Sequence, residues 1–130
     1  MNLQELIKAS SSLADDVLPD DEIIDFVNDA IAAINIEANA NFPSLHDMTD
    51  EPAFPEKWQR MLIIPFVKAR IKEKDSSQFE WEVGYDQFYD NLNTFIAKYP
   101  IPEEYKDPES RGNHAGKSIL DYRPYIYGGW

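Results

Sequence analysis

The chain has no cysteine. That excludes disulfides, thiolate metal sites and thiol nucleophiles together, and it fits a reducing compartment. Long apolar runs are missing too. None approaches the roughly 18–20 residues that a membrane span needs, so no membrane role is expected. Met1-Asn2-Leu3-Gln4-Glu5 has no basic segment and no apolar stretch behind it. It does not read as a secretory signal, and a soluble cytoplasmic product is the expectation. Basic residues are scarce, with 12 Lys and Arg against 24 Asp and Glu, for a net charge of −12. Phosphate contacts need clustered Lys and Arg, so this balance argues against nucleic-acid binding.

The charge is unevenly spread. Residues 1–56 hold thirteen acids and a single base, Lys8. Residues 57–74 reverse this, with Lys57, Arg60, Lys68, Arg70, Lys72 and Lys74 against Glu73 alone. The last segment, 103–130, is close to balanced. Two readings stay open: an acidic surface kept for solubility, or complementary charge that registers neighbouring copies against each other.

At 130 residues the chain fits one domain. Leu3, Leu6 and Ile7 fall at helical spacing and predict a short first helix, weakly ended by Ser10-Ser11-Ser12. Pro19-Asp20-Asp21-Glu22 puts acids where a helix N-terminus favours them. Behind it Ile23, Val27, Ala30, Ile31, Ile34 and Ala38 repeat at three- and four-residue steps, predicting a helix over 20–39. Residues 40–54 contain Pro43 and Pro52 and have no period. They read as a loop longer than usual, of the kind that is often functional or disordered.

Pro55 then suits a first helical position. Trp58, Met61, Leu62, Ile64, Phe66, Ala69 and Ile71 make a helix apolar on several sides, hence central. Pro65 inside it should produce a kink near 61–65, or split it into two shorter helices. Ser77-Gln78-Phe79-Glu80 matches a capping box. It opens a helix whose stripe is Trp81, Tyr85, Phe88, Tyr89, Leu92, Phe95, Ile96 and Tyr99, read as core. Gly84 in that helix reads as a close-packing point, and Pro100-Ile101-Pro102 ends it. The expected fold is all-α: a small bundle of three main helices plus the short N-terminal one. The bundle domain covers 1–102, followed by an extended C-terminal tail, 103–130.

The tail is polar and turn-rich until its last dozen residues. There Tyr122, Tyr125, Tyr127 and Trp130 stand among Ile119, Leu120, Arg123 and Ile126. Disorder goes with low aromatic content, while Tyr, Trp and Arg are enriched at interface hot spots. These eight residues are therefore the candidate partner-binding site, with docking back onto the bundle as the competing reading.

Catalytic chemistry is hard to find. Gly112-Asn113-His114-Ala115-Gly116-Lys117-Ser118 has the letters of a phosphate-binding loop but one residue too few between its glycines. His114, Ser118 and Asp121 supply triad residue types without the separate elements that would hold them in place. His46 and His114 are the only histidines, and nothing in their spacing suggests zinc. Asp15, Asp16, Asp20, Asp21, Glu22 and Asp25 lack the central glycine of a calcium loop. No enzyme, cofactor or metal site is expected.

Three blocks carry a family likeness: Leu18-Pro19-Asp20-Asp21-Glu22-Ile23-Ile24, then Pro55-Glu56-Lys57-Trp58-Gln59 leading to Lys72-Glu73-Lys74-Asp75-Ser76-Ser77, then the aromatic helix Trp81 to Tyr99. In pattern and helix order, over about residues 18–100, the chain resembles the head–tail connector proteins of long-tailed bacteriophages, also called adaptor or head-completion proteins. The resemblance implies a structural virion protein of the neck. In it a ring of identical subunits, commonly twelve, sits beneath the portal and lines the channel that DNA crosses without being bound. It implies a C-terminal segment that reaches the portal protein, and a platform for the stopper or tail-completion protein. An acidic protein suits such a channel, because it offers phosphates no partner that releases counterions. The alternative from another class is a small acidic binding protein that imitates DNA to inhibit an enzyme. Loop 40–54 and the aromatic tail are not among the blocks that carry the likeness.

Overall fold

The computed structural model describes residues 1–11, 18–74 and 78–107. The fold is an all-α bundle: α1 (Leu3–Ser11), α2 (Asp20–Ala38), α3 (Glu56–Trp58), a π-helical segment (Gln59–Ile63), α4 (Ile64–Lys74) and α5 (Gln78–Lys98). A 3₁₀ turn, Glu103–Tyr105, follows.

α1 is held at its start by a reciprocal cap. Asn2 Oδ1 accepts from the Glu5 amide and Glu5 Oε1 accepts from the Asn2 amide, both at 2.9 Å. The amides of Leu3 and Gln4 donate to the carbonyls of Asp50 and Met48 in the long loop. The first-turn donors of this helix thus all find partners. Leu3, Leu6, Ile7 and Ser10 face inward.

α2 buries Ile23, Val27, Ala30, Ile31 and Ile34, the stripe read from its sequence. It ends where Asn39 turns left-handed, φ 53°, a conformation that asparagine tolerates better than most residues. The loop that follows is part of the core. Phe42, Leu45 and Phe54 are almost fully buried, and two asparagines of α2 fix the backbone at Phe42 and Leu45. Asn35 Nδ2 donates to the Phe42 carbonyl while its Oδ1 accepts from the Phe42 amide, at 3.0 and 2.9 Å. Asn28 does the same to Leu45, at 2.9 and 2.8 Å. The spacing explains the match. Seven residues of helix rise about 10.5 Å, and three residues of extended chain cover about 10 Å. Each side-chain amide therefore meets one backbone peptide, and the loop lies along the helix.

Helical backbone runs from Glu56 to Lys74 without a break, so Pro65 does not split it. The turn before the proline is wound as a π-helix instead. Pro65 has no amide to offer the Met61 carbonyl four residues back, and its ring would crowd that carbonyl in an α-helix. The wider turn relieves the clash. Asn91 of α5 supplies the missing donor, its Nδ2 lying 2.8 Å from the Met61 oxygen.

α4 and α5 approach closely at Gly84. A Cβ placed there would stand 2.9 Å from the Ala69 Cβ, so glycine permits the contact. α5 begins at Gln78; Ser77, the expected N-cap, lies outside the described residues. The aromatic stripe is narrower than its sequence suggests. Phe88, Leu92 and Phe95 are core, and Trp81, Tyr85 and Tyr99 are half-buried, but Tyr89 and Ile96 are 49% and 42% exposed. These two, seven residues apart, sit at the edge of the stripe, beyond the cover that α4 and the π-helical segment give.

Residues 103–107, assigned to the tail on sequence, pair with the bundle. Ala40 and Lys106 form an antiparallel bridge. The Asn41 amide donates to Tyr105 and the Asp107 amide to Asn39, at 2.7 and 3.1 Å. Tyr105 packs against Phe42 with ring centroids 5.4 Å apart.

Candidate interaction surfaces

His46 is exposed in the loop, while His114, Ser118, Asp121 and the glycine-rich segment 112–118 lie outside the described residues. Among the described residues no group of three or more His, Asp and Glu is arranged to hold a metal. No helix there is long and apolar enough to cross a membrane. The eight proposed docking residues, Ile119, Leu120, Tyr122, Arg123, Tyr125, Ile126, Tyr127 and Trp130, also lie outside the described residues. What the fold does fix is the point from which that segment departs. The backbone pairing of 39–41 with 105–107 places Asp107 beside the C-terminal end of α2.

The helical period divides the cations of α4 between two sides. Arg70 and Lys74 turn toward α2. There they line an open groove of about 450 Å³ with Glu22, Phe26, Asp29 and Glu73. Lys74 pairs with Glu22. The Arg70 guanidinium lies over Phe66 and Tyr85, 4.9 and 5.7 Å from their centroids, with its Nη1 3.5 Å from Glu73 and its Nε 3.9 Å from Asp29. Tyr85 donates its hydroxyl to Glu73 at 2.6 Å. Burial, and then the bond to that carboxylate, push the phenol pKa well up, against the opposing pull of Arg70. Tyr85 therefore stays protonated, and the cluster ties α4 to α5 and faces α2.

Lys68 and Lys72, one turn apart, lie on the other side of α4. They border a crevice of about 220 Å³ with Pro65, Ala69, Val83, Gly84 and Gln87. Val83 is 49% exposed. The outer face of α2 is a third surface. Asp21, Asp25, Ala32 and Ile36 follow one another at steps of four, seven and four, and all are exposed, Ile36 by 73%. This face is acidic at one end and apolar at the other.

In the loop, Asp50 Oδ2 accepts from the amides of His46 and Asp47, both at 2.9 Å. These two bonds, the Asp47 one first, hold its carboxyl below the usual carboxylate range. It is a turn-forming group.

The basic helix and the acidic start of α2 were both legible as charge blocks. The division of the α4 cations between two sides follows from the helical period, which the sequence reading did not apply to charge. The amide clamps were missed, because asparagines on a helix ordinarily read as solvated polar positions. The Asn2/Glu5 cap was also missed, although Asn-x-x-Glu before an apolar run is a recognisable signal. No protein-family model, curated protein or solved structure matches the chain.

Proposed function

We propose that this chain is a structural adaptor that assembles as a ring of identical copies and is anchored to a portal-type partner by its C-terminal segment. The observation that carries the reading is the fixed departure point of that segment. Asp107 is tied by backbone bonds to Asn39, and twenty-three residues follow it. Fully extended, they reach on the order of 75 Å, more than twice the roughly 32 Å length of α5, the longest helix. A segment of that reach, bearing Tyr122, Arg123, Tyr125, Tyr127 and Trp130, can engage a protein well beyond the bundle. Rings with few rotatable bonds bury large area at low entropic cost. The likeness to head–tail connectors in helix order supports the same reading, with DNA passing an acidic wall that offers no phosphate contacts. In that role the protein belongs to the virion neck and performs no catalysis.

Deleting residues 119–130 tests it. The truncated chain should keep the helical signal and melting profile of the intact chain and should no longer co-sediment with a portal ring. Unfolding of the truncated chain would mean that the segment completes its own bundle, and the anchor reading would fall.

A second reading, an acidic protein that imitates DNA, draws on the Asp21, Asp25 and Asp29 face of α2. That face turns apolar at Ala32 and Ile36, which an imitation of phosphate charge does not call for. Its mark would be capture of a DNA-binding enzyme that weakens steeply with salt.

A further inference from the structure

We propose that in the free chain residues 117–123 of the C-terminal segment fold back onto the outer face of α2 around Ile36. Ile36 is 73% exposed, the highest value of any large apolar side chain among the described residues. Ala32, one turn before it, is exposed as well. The C-terminal segment starts beside this face. The Asp107 amide donates to the Asn39 carbonyl, and Asn39 stands three residues beyond Ile36, about 4.5 Å along the helix axis. Residues 108–118 hold no large apolar side chain, and Ile119 and Leu120 are the first to follow Asp107. A tether of eleven residues keeps that pair at an effective concentration on the order of millimolar near its point of departure. The entropy lost in closing such a loop grows only slowly with its length. Contact of Ile36 with Ile119 and Leu120 removes apolar surface from water on both sides.

Charge favours the same placement. α2 carries Asp20, Asp21, Glu22, Asp25, Asp29 and Glu37 and no Lys or Arg. Its last turn has no base where the negative end of the helix dipole favours one, and Glu37, next to Ile36, is exposed. Lys106, which bridges to Ala40 at this end, pairs with Glu103. Residues 117–123 bring Lys117 and Arg123 on either side of Ile119 and Leu120, against Asp121 alone. The apolar pair thus meets Ile36 while its flanking cations meet the acidic end of α2. The contact covers surface and completes no part of the core, so the bundle folds without it. Tyr125, Tyr127 and Trp130 lie beyond the bound stretch and remain for a partner, so this contact goes beyond the adaptor reading and does not depend on it.

Because the chain has no cysteine, disulfide trapping reads the contact directly. The full chain carrying Ala32→Cys and Ser118→Cys should close a disulfide within itself under mild oxidation, at a rate that does not change on dilution. Adding Ile36→Asp should slow closure by about tenfold, as expected for one apolar side chain withheld from burial. The helical signal should stay unchanged, because Ile36 lies on the surface. Ile119→Ser with Leu120→Ser should slow closure to a similar extent, and Lys117→Glu with Arg123→Glu should slow it too, less so at high salt. Closure indifferent to these changes would show that the segment meets α2 only at random. A disulfide that forms between chains, faster with concentration, would put the segment on another copy. Either result overturns the contact. No portal enters the measurement, so its failure leaves the adaptor reading standing. A chain that closes the disulfide yet never joins a portal loses that reading alone.

Discussion

Where α2 ends, Phe42, Phe54, Trp58 and Phe95 pack edge to face, Tyr99 stacks on Phe95, and two asparagine amides clamp the loop that brings Phe42 in. Where α2 begins, Arg70, Lys74, Glu22, Glu73 and Asp29 meet around a groove open to water. The first end is held by buried area and by hydrogen bonds partly shielded from solvent. The second is held by charges that water and salt screen. Contacts in the two places therefore differ severalfold in what they contribute to stability.

Substitutions at the two ends should separate accordingly. Leu92 is 1% exposed, between Phe88 and Phe95 on the inner face of α5. Leu92→Asp should abolish the folded state, because an isolated charge has no partner there; a cooperative melt in that variant would contradict the packing described. Asn35→Ala would leave the amide and carbonyl of Phe42 without their clamp. It should cost about 1–3 kcal/mol in urea unfolding, and a neutral result would mean that the loop is held by its aromatic rings alone. Lys74→Ala, at the open end, should cost less than about 1 kcal/mol, its ion pair with Glu22 being substantially exposed. A loss comparable to that of Asn35→Ala would erase the contrast between the ends.

The smallest expected effect is a pH dependence at the loop. The Asp50 carboxyl titrates below its ordinary range because it accepts two backbone amides. A depressed folded-state value stabilises the protein above the unfolded-state value, near 3.9. That contribution is lost as the pH falls through the folded-state value. Asp50→Ala should therefore flatten the acid limb of stability against pH, and an unchanged acid limb would place the titrating group elsewhere.

The helices were legible because their apolar stripes keep the helical period, and α2 buries every residue of its stripe except Ala38, which is half-buried. What the sequence hid were effects between distant positions. Pro65 announced a disturbed helix, but the form of the disturbance depends on Asn91, twenty-six residues further on, donating to the Met61 carbonyl. Loop 40–54 has no period and so read as a long loop of the kind that is often functional or disordered. Its order comes from Asn28 and Asn35 matching the rise of extended chain, a relation that no window on either segment reveals. The stripe on α5 was overread at Tyr89 and Ile96, since periodicity gives a face without giving the width that a neighbour covers. Of the functional surfaces, the charge blocks were plain in the sequence, whereas the division of α4 into two cationic sides required the fold. The aromatic segment 119–130 is argued from composition and reach.

The adaptor reading depends on that segment being gripped by another protein, and hydroxyl-radical footprinting of Tyr122, Tyr125, Tyr127 and Trp130 tests it most directly. Labelling of the four rings in the free chain and in its complex with a portal ring should differ, with strong protection in the complex. Equal labelling in the two states, with the chain still bound, would show that the rings stay in water and that the anchor lies elsewhere.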